Sequence, residues 1–185
     1  MLRTAEEQIR KLAAVTSVML MATAEALAQD SASKPARRIV VSLPDRQLAV
    51  MDGERVVKIF HTAVGAPQSP SPTGVYKIAT SIPDPTWYGP GKIVGPGKNN
   101  PIGTRWLGLS LKGYGIHGTN NPASIGHNAS HGCIRLRNHD VEELFGMVQV
   151  GDQVELYGER TPELDRIFGE PVAMNSGVSG VGAAQ

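Results

Sequence analysis

Apolar positions in this chain gather mostly in short runs of strand length. Segments 38–43 (RIVVSL) and 46–51 (RQLAVM) are short, nearly unbroken apolar runs separated by Pro44-Asp45, and runs of that length bounded by turn residues predict strands. A third run, 54–65 (ERVVKIFHTAVG), follows Asp52-Gly53. Asp-Gly between two such runs favours the positive φ angles of a tight hairpin, so the chain is expected to open as an antiparallel meander. Another strand is predicted at 74–81 (GVYKIATS), with brief extended pieces at 106–111, 115–117 and 133–136 and a last strand at 153–157. Between them, 82–103 holds five prolines and five glycines around Trp87 and Tyr88. A loop of that length inside a domain is usually functional, as a lid or binding loop.

One helix stands out. Val141, Leu144, Phe145 and Val148 fall at i, i+3, i+4 and i+7, with Asn138 or Asp140 placed to cap the start and Gly151 to end the unit. Beyond 159 the pattern thins. Residues 164–168 allow a turn of helix, and 159–185 reads as a flexible tail ending in Gly, Ser, Ala and Val. The fold expected is mainly β: a single sandwich-like domain of two curved sheets with one short helix after Cys133.

Composition adds two constraints. The 185 residues suit one domain, and 21 glycines with 13 prolines agree with many turns. A net charge of +1 without a Lys/Arg cluster gives no footprint for nucleic acid. At the start, Arg3, Arg10 and Lys11 precede thirteen uncharged residues, 12–24, and Ala26-Leu27-Ala28 supplies small residues at the positions a signal peptidase reads. Residues 1–28 are therefore expected to be an export signal and 29–37 a linker, with 38–158 as the working domain. Thirteen residues are too few to span a bilayer core, so no membrane span is expected once the signal is cleaved.

The chain has one cysteine, so an exported protein of this sequence has no internal disulfide. Cys133 sits at a Gly-to-strand junction in Ser130-His131-Gly132-Cys133-Ile134-Arg135, and Arg135, two residues on, shares its face of a strand. A guanidinium there would favour a thiolate and could hold a carboxylate by forked hydrogen bonds. A nucleophilic thiol also needs a base, and an imidazole is the usual one. Two imidazoles are candidates, His117 and His131; only two residues from Cys133, His131 is poorly placed to meet the sulfur head-on if the segment is extended, and the spacing leans towards His117. His117, sixteen residues upstream in Ile116-His117-Gly118-Thr119, has room to loop back.

The paired motifs, HGT and then SHGCIR, resemble the signature of the L,D-transpeptidase catalytic domain (YkuD-like). The similarity extends to Pro72-Thr73-Gly74-Val75-Tyr76, the Trp-containing loop and the closing helix with Gly-Asp-x-Val. Ser71 stands where the family often has Thr, and some members carry Asn in place of Arg135. The resemblance implies a cell-wall acyl transfer in the periplasm or wall. Cys133 would take the acyl group of a peptidoglycan tetrapeptide stem and release D-Ala. His117 would be the general base, its ring oriented by the Gly118 carbonyl. His131 and the N–H groups around Gly132 and Cys133 would line the oxyanion site, and Ser130 and Arg135 would hold polar parts of the substrate. The acceptor would be the amine of a second stem, giving 3–3 cross-links, or of a wall-anchored protein. Carbapenems would acylate the thiol, and no metal or organic cofactor is implied.

Other readings start from the same residues. Water as acceptor would make the protein an L,D-carboxypeptidase or a hydrolase of wall-linked peptides, and loss of turnover would leave a wall-binding module. A zinc cluster of His117, His127, His131 and Cys133 fits no ligand spacing in common use. His61 and His139 read as ordinary half-exposed residues, and Trp87, Tyr88, Trp106 and Tyr114 as groove lining or core.

Overall fold

The structure, a computed structural model, describes residues 36–169. The expected signal segment, most of the linker and the tail beyond 169 lie outside the described residues.

Strands β1 (Arg38–Ser42) and β2 (Gln47–Asp52) pair antiparallel, and nearly every residue of both is buried. Their runs do not alternate with polar residues because both faces are covered. Ile39, Val41, Leu48 and Val50 face the main core, while Val40, Ala49 and Met51 face the other way into a smaller cluster. The hairpin to β3 (Arg55–His61) turns on Gly53-Glu54, since Asp52 and Arg55 are still paired. Only Gly53 has positive φ there, 57°. The tight pair is thus shifted by one residue from the expected Asp52-Gly53, as suits a turn with glycine at its first centre. The expected long third strand also breaks: at Thr62-Ala63 the chain leaves the sheet edge and resumes as β4 (Val64–Gly65).

Strand β5 (Gly74–Pro83) is the longest. The loop after it is ordered and carries a small hairpin of β6 (Trp87–Gly89) and β7 (Lys92–Val94). Asn100, fully buried, pins this loop: its Nδ2 donates to Pro85 O at 2.6 Å and Gly95 O at 3.1 Å, and its Oδ1 accepts from Ile102 N at 2.9 Å. A side-chain amide here supplies the backbone partners that the missing ladder does not. Then come β8 (Arg105–Leu109), β9 (Gly115–His117), β10 (Asn128–Ser130), β11 (Ile134–Arg135), helix α1 (Asn138–Met147) and β12 (Gln153–Tyr157).

Eight strands make one mixed sheet in the order β11-β9-β8-β5-β12-β1-β2-β3. Its two halves meet in β5, which pairs with β12 through Gly74–Lys77 and with β8 through Ile78–Pro83. The two curved sheets expected from the sequence are therefore halves of one curled sheet. Ala63, just beyond the β3 edge, exchanges both backbone hydrogen bonds with Arg135 on the opposite edge strand, each at 2.9 Å. Curling in this way leaves fewer unpaired edges. The concave side is filled by Ile78, Leu107, Ile116, Ile134 and Leu136, and by Val141 and Leu144 of α1.

The stretch from Glu159, expected as flexible tail, begins with order. Thr161 caps helix α2 (Pro162–Phe168), accepting from Leu164 N at 3.3 Å. Leu164 and Ile167 close the smaller cluster over Val40, Ala49 and Met51. Arg160 ties the helix start to Asp45 and Asp165. The apolar outer face of β1 and β2 is the reason: left bare it would be a costly patch.

Candidate active site

Parallel pairing of β11 with β9 sets Ile134 opposite Ile116 and Arg135 opposite His117. Paired residues of neighbouring strands project to one face, and Cys133 shares the face of Arg135. Cys133, His117 and Arg135 therefore line one groove of about 700 Å³, together with Trp106, Gly113 and the loop residues Trp87 and Tyr88.

His117 is buried, and its Nδ1 donates to its neighbour's carbonyl, Gly118 O, at 2.6 Å. That leaves Nε2 as the basic nitrogen. Trp106, its partner across β8 and β9, stacks on the imidazole with ring centroids 5.6 Å apart. The indole lies over Gly108 and Gly115, themselves cross-strand partners, where a Cβ on either would press into the ring. Burial, reinforced by the Arg135 charge and only partly offset by the Gly118 bond, lowers the His117 pKa to about 4.

Cys133 is half-buried, with Sγ turned toward Gly113 O at 3.7 Å. Burial pushes its thiol up, against the lowering influence of the Gly115 backbone and of Arg135. The sequence suggested a thiolate favoured by the guanidinium; in the folded chain desolvation outweighs that charge, so burial favours the neutral thiol at Cys133 and the neutral imidazole at His117. Arg135 is itself half-buried, and its Nε has no hydrogen-bond partner.

Ser130 serves the turn. Its buried hydroxyl donates to Cys133 O at 2.6 Å and accepts from Gly132 N at 3.0 Å, while its carbonyl accepts from Ala66 N. The Gly132 N–H is thereby engaged inside the turn, which leaves the Cys133 N–H as the nearer candidate for an oxyanion donor. Gly132 has φ 107°, and a Cβ there would stand 2.7 Å from the Tyr114 ring. His131 is exposed on the rim of the groove. Ser71 accepts from Gly65 N at 2.8 Å, bracing the strand beside this turn.

His61, His127 and His139 are exposed and outside the groove. Among the described residues, no three His, Cys, Asp or Glu side chains converge as metal ligands. The sequence reading missed the Gly113 carbonyl, the Asn100 brace and the true place of Asn138, whose Oδ1 accepts from Thr119 N at 3.1 Å instead of capping its own helix. An Asn one residue inside a helix start was the available signal.

Residues 36–156 match the family model described as the L,D-transpeptidase catalytic domain, YkuD. The chain belongs to that family. A Bacillus licheniformis protein named for the L,D-transpeptidases, YkuD, is 41% identical over 119 residues, 64% of each chain. A Bacillus subtilis protein named in the same way, YqjB, is 35% identical over 121 residues, 63% of this chain and 68% of its own. Among solved structures, a cysteine-to-serine variant of the Enterococcus faecium L,D-transpeptidase aligns with TM-score 0.57 and 26% identity, over 66% of this chain and 50% of that one. The chain thus spans about two thirds of the length of these Bacillus relatives and half of the Enterococcus protein. The likeness extends to the mainly β, curled-sheet architecture. No described helix is long and apolar enough to cross a membrane.

Proposed function

We propose that this protein is a peptidoglycan L,D-transpeptidase in which Cys133 is the nucleophile and His117 its base. The observation that carries the reading is the tied imidazole: Nδ1 is held by Gly118 O, so the free Nε2 belongs to a ring lining the same groove as Sγ. With both partners neutral at rest, Nε2 takes the thiol proton as sulfur attacks the stem carbonyl, instead of finding a thiolate ready made. The C–S bond forms, the carbonyl oxygen becomes an oxyanion, and the imidazolium returns its proton to the departing D-Ala nitrogen as the C–N bond breaks. In this reading the Cys133 N–H and His131 meet the oxyanion, a contribution of a few kcal/mol for fixed donors. An acceptor amine then attacks the thioester, passes a proton to His117 and frees the thiol.

Arg135 supports a substrate with a free carboxylate. No Asp or Glu lines the groove beside it, so its guanidinium is the charge there to which the D-Ala carboxylate would be drawn. The acceptor is proposed to be a second stem peptide or the amine of a wall protein, outside the cytoplasm, and carbapenems to trap the first step as a stable thioester.

Incubating the protein with disaccharide tetrapeptide and weighing the products tests this. Cross-linked dimers lacking one D-Ala are expected, and tripeptide alone would mean a hydrolase. Cys133→Ser or His117→Ala protein that processed the substrate as fast as the parent would overturn the mechanism.

A further inference from the structure

His117 is held by a peptide group that is itself held. The Gly118 carbonyl that accepts from Nδ1 and the Thr119 N–H that donates to Asn138 Oδ1 belong to one planar peptide unit. We infer that Asn138 is a positioning residue for His117, aiming the Gly118 carbonyl at Nδ1 through the shared peptide plane. The inference rests on the reading of His117 as base and adds a fourth member to its array.

Three observations support the relay. First, the Asn138 side chain is diverted from local use. It opens α1, where the residue before it, Arg137, makes no side-chain cap, yet its oxygen reaches back across nineteen residues to Thr119. Second, room for that oxygen is built in twice. A Cβ on either Gly103 or Gly118 would overlap Asn138 Oδ1. Gly118 lies outside the left-handed region, so space and not backbone angle calls for glycine there. Third, the other N–H in the segment is fixed as well, Gly118 N donating to Arg105 O at 3.2 Å. The preceding peptide plane is thus held as well, so Gly118 is anchored on both flanks, by Arg105 O before it and by Asn138 on the plane that carries its carbonyl.

The consequence is a chain of hydrogen bonds from Asn138 Oδ1 through the peptide to imidazole Nδ1–H, each polarising the next. It keeps the ring in the tautomer with Nε2 bare. Asn138 follows Cys133 by five residues, so the segment that carries the thiol also orients its base. Gly103 brings the end of the groove loop to the same point.

Nitrogen-15 NMR of histidine-labelled full chain, read with and without substrate, tests the relay. The parent is expected to show His117 as a single Nδ1–H tautomer. Asn138→Ala should give mixed tautomers, with kcat reduced roughly ten- to a hundredfold, as for a misplaced catalytic group, and KM little changed. Asn138→Asp keeps the acceptor and should restore the tautomer and most of kcat, with His117 protonating at higher pH because the relay now ends on a charge. A folded alanine variant that keeps the tautomer, whether or not kcat falls, overturns the inference. Should the alanine variant not fold, the aspartate variant decides, and a mixed tautomer or an unmoved His117 titration overturns it. The tautomer is read without turnover, so an inactive parent would count against the proposed reaction and leave this test standing.

Discussion

Trp106 covers one face of His117, its ring inclined by 23° to the imidazole. The two are cross-strand partners, and the indole is seated over the glycine pair Gly108 and Gly115. This cover helps keep water from the ring, and desolvation is the largest reason its pKa falls to about 4. Trp106→Ala should therefore move His117 back toward its ordinary 6.5. The check is the acid limb of kcat/KM, which reports the free enzyme: near pH 4 in the parent and higher in the variant. An unmoved limb would assign the desolvation to the strands alone.

The same depressed pKa makes stability depend on pH. Unfolded chain takes up a proton near 6.5 that the folded ring refuses until about 4, so stability falls as pH drops through that window and levels off below it. For a shift of this size the loss is about 3 kcal/mol. Urea midpoints should show it for the parent, and His117→Gln should flatten that part of the curve.

Cys133 is expected to react slowly with small neutral alkylating agents at neutral pH. Its thiol is raised by burial, whereas a free thiol ionises near pH ~8.5 and supplies more thiolate. The alkylation rate should climb with alkaline pH and exceed that of a free cysteine nowhere in the neutral range. Fast alkylation that is flat with pH would mean an ionised pair with His117 and a different first step.

Helix α2 extends the fold past the family-matched residues, and its anchor is Leu164, fully buried in the cluster of Val40, Ala49 and Met51. Leu164→Ala should cost about 2–5 kcal/mol by lost burial and a cavity. Denaturant unfolding measures this. The groove lies elsewhere, so kcat at permissive temperature should be unchanged.

The local code carried the strands and the first helix. Apolar runs at 38–43 and 46–51, a glycine turn after Asp52, and the i, i+3, i+4, i+7 stripe on α1 each depend on neighbours within a few residues, and each formed near its expected place. Boundaries failed where distant contacts decide: Ala63 leaves its strand to bond Arg135, and α2 forms because the face of β1 and β2 needs cover. The loop at 82–103 was legible as a loop but its internal hairpin was not, since its organiser, Asn100, works through carbonyls that only the folded loop presents.

For the site, residue types and spacing were enough to single out Cys133, His117 and Arg135 as candidates, because motif chemistry is written in side chains. Their charge states were not. Whether a thiol beside an arginine is an anion depends on how much water the fold removes, and removal of water is a sum over strands, Trp106 and the groove walls that no short segment contains. The orientation of His117 likewise hangs on a peptide plane that Asn138 reaches from another element, a distance set by packing and invisible to sequence spacing.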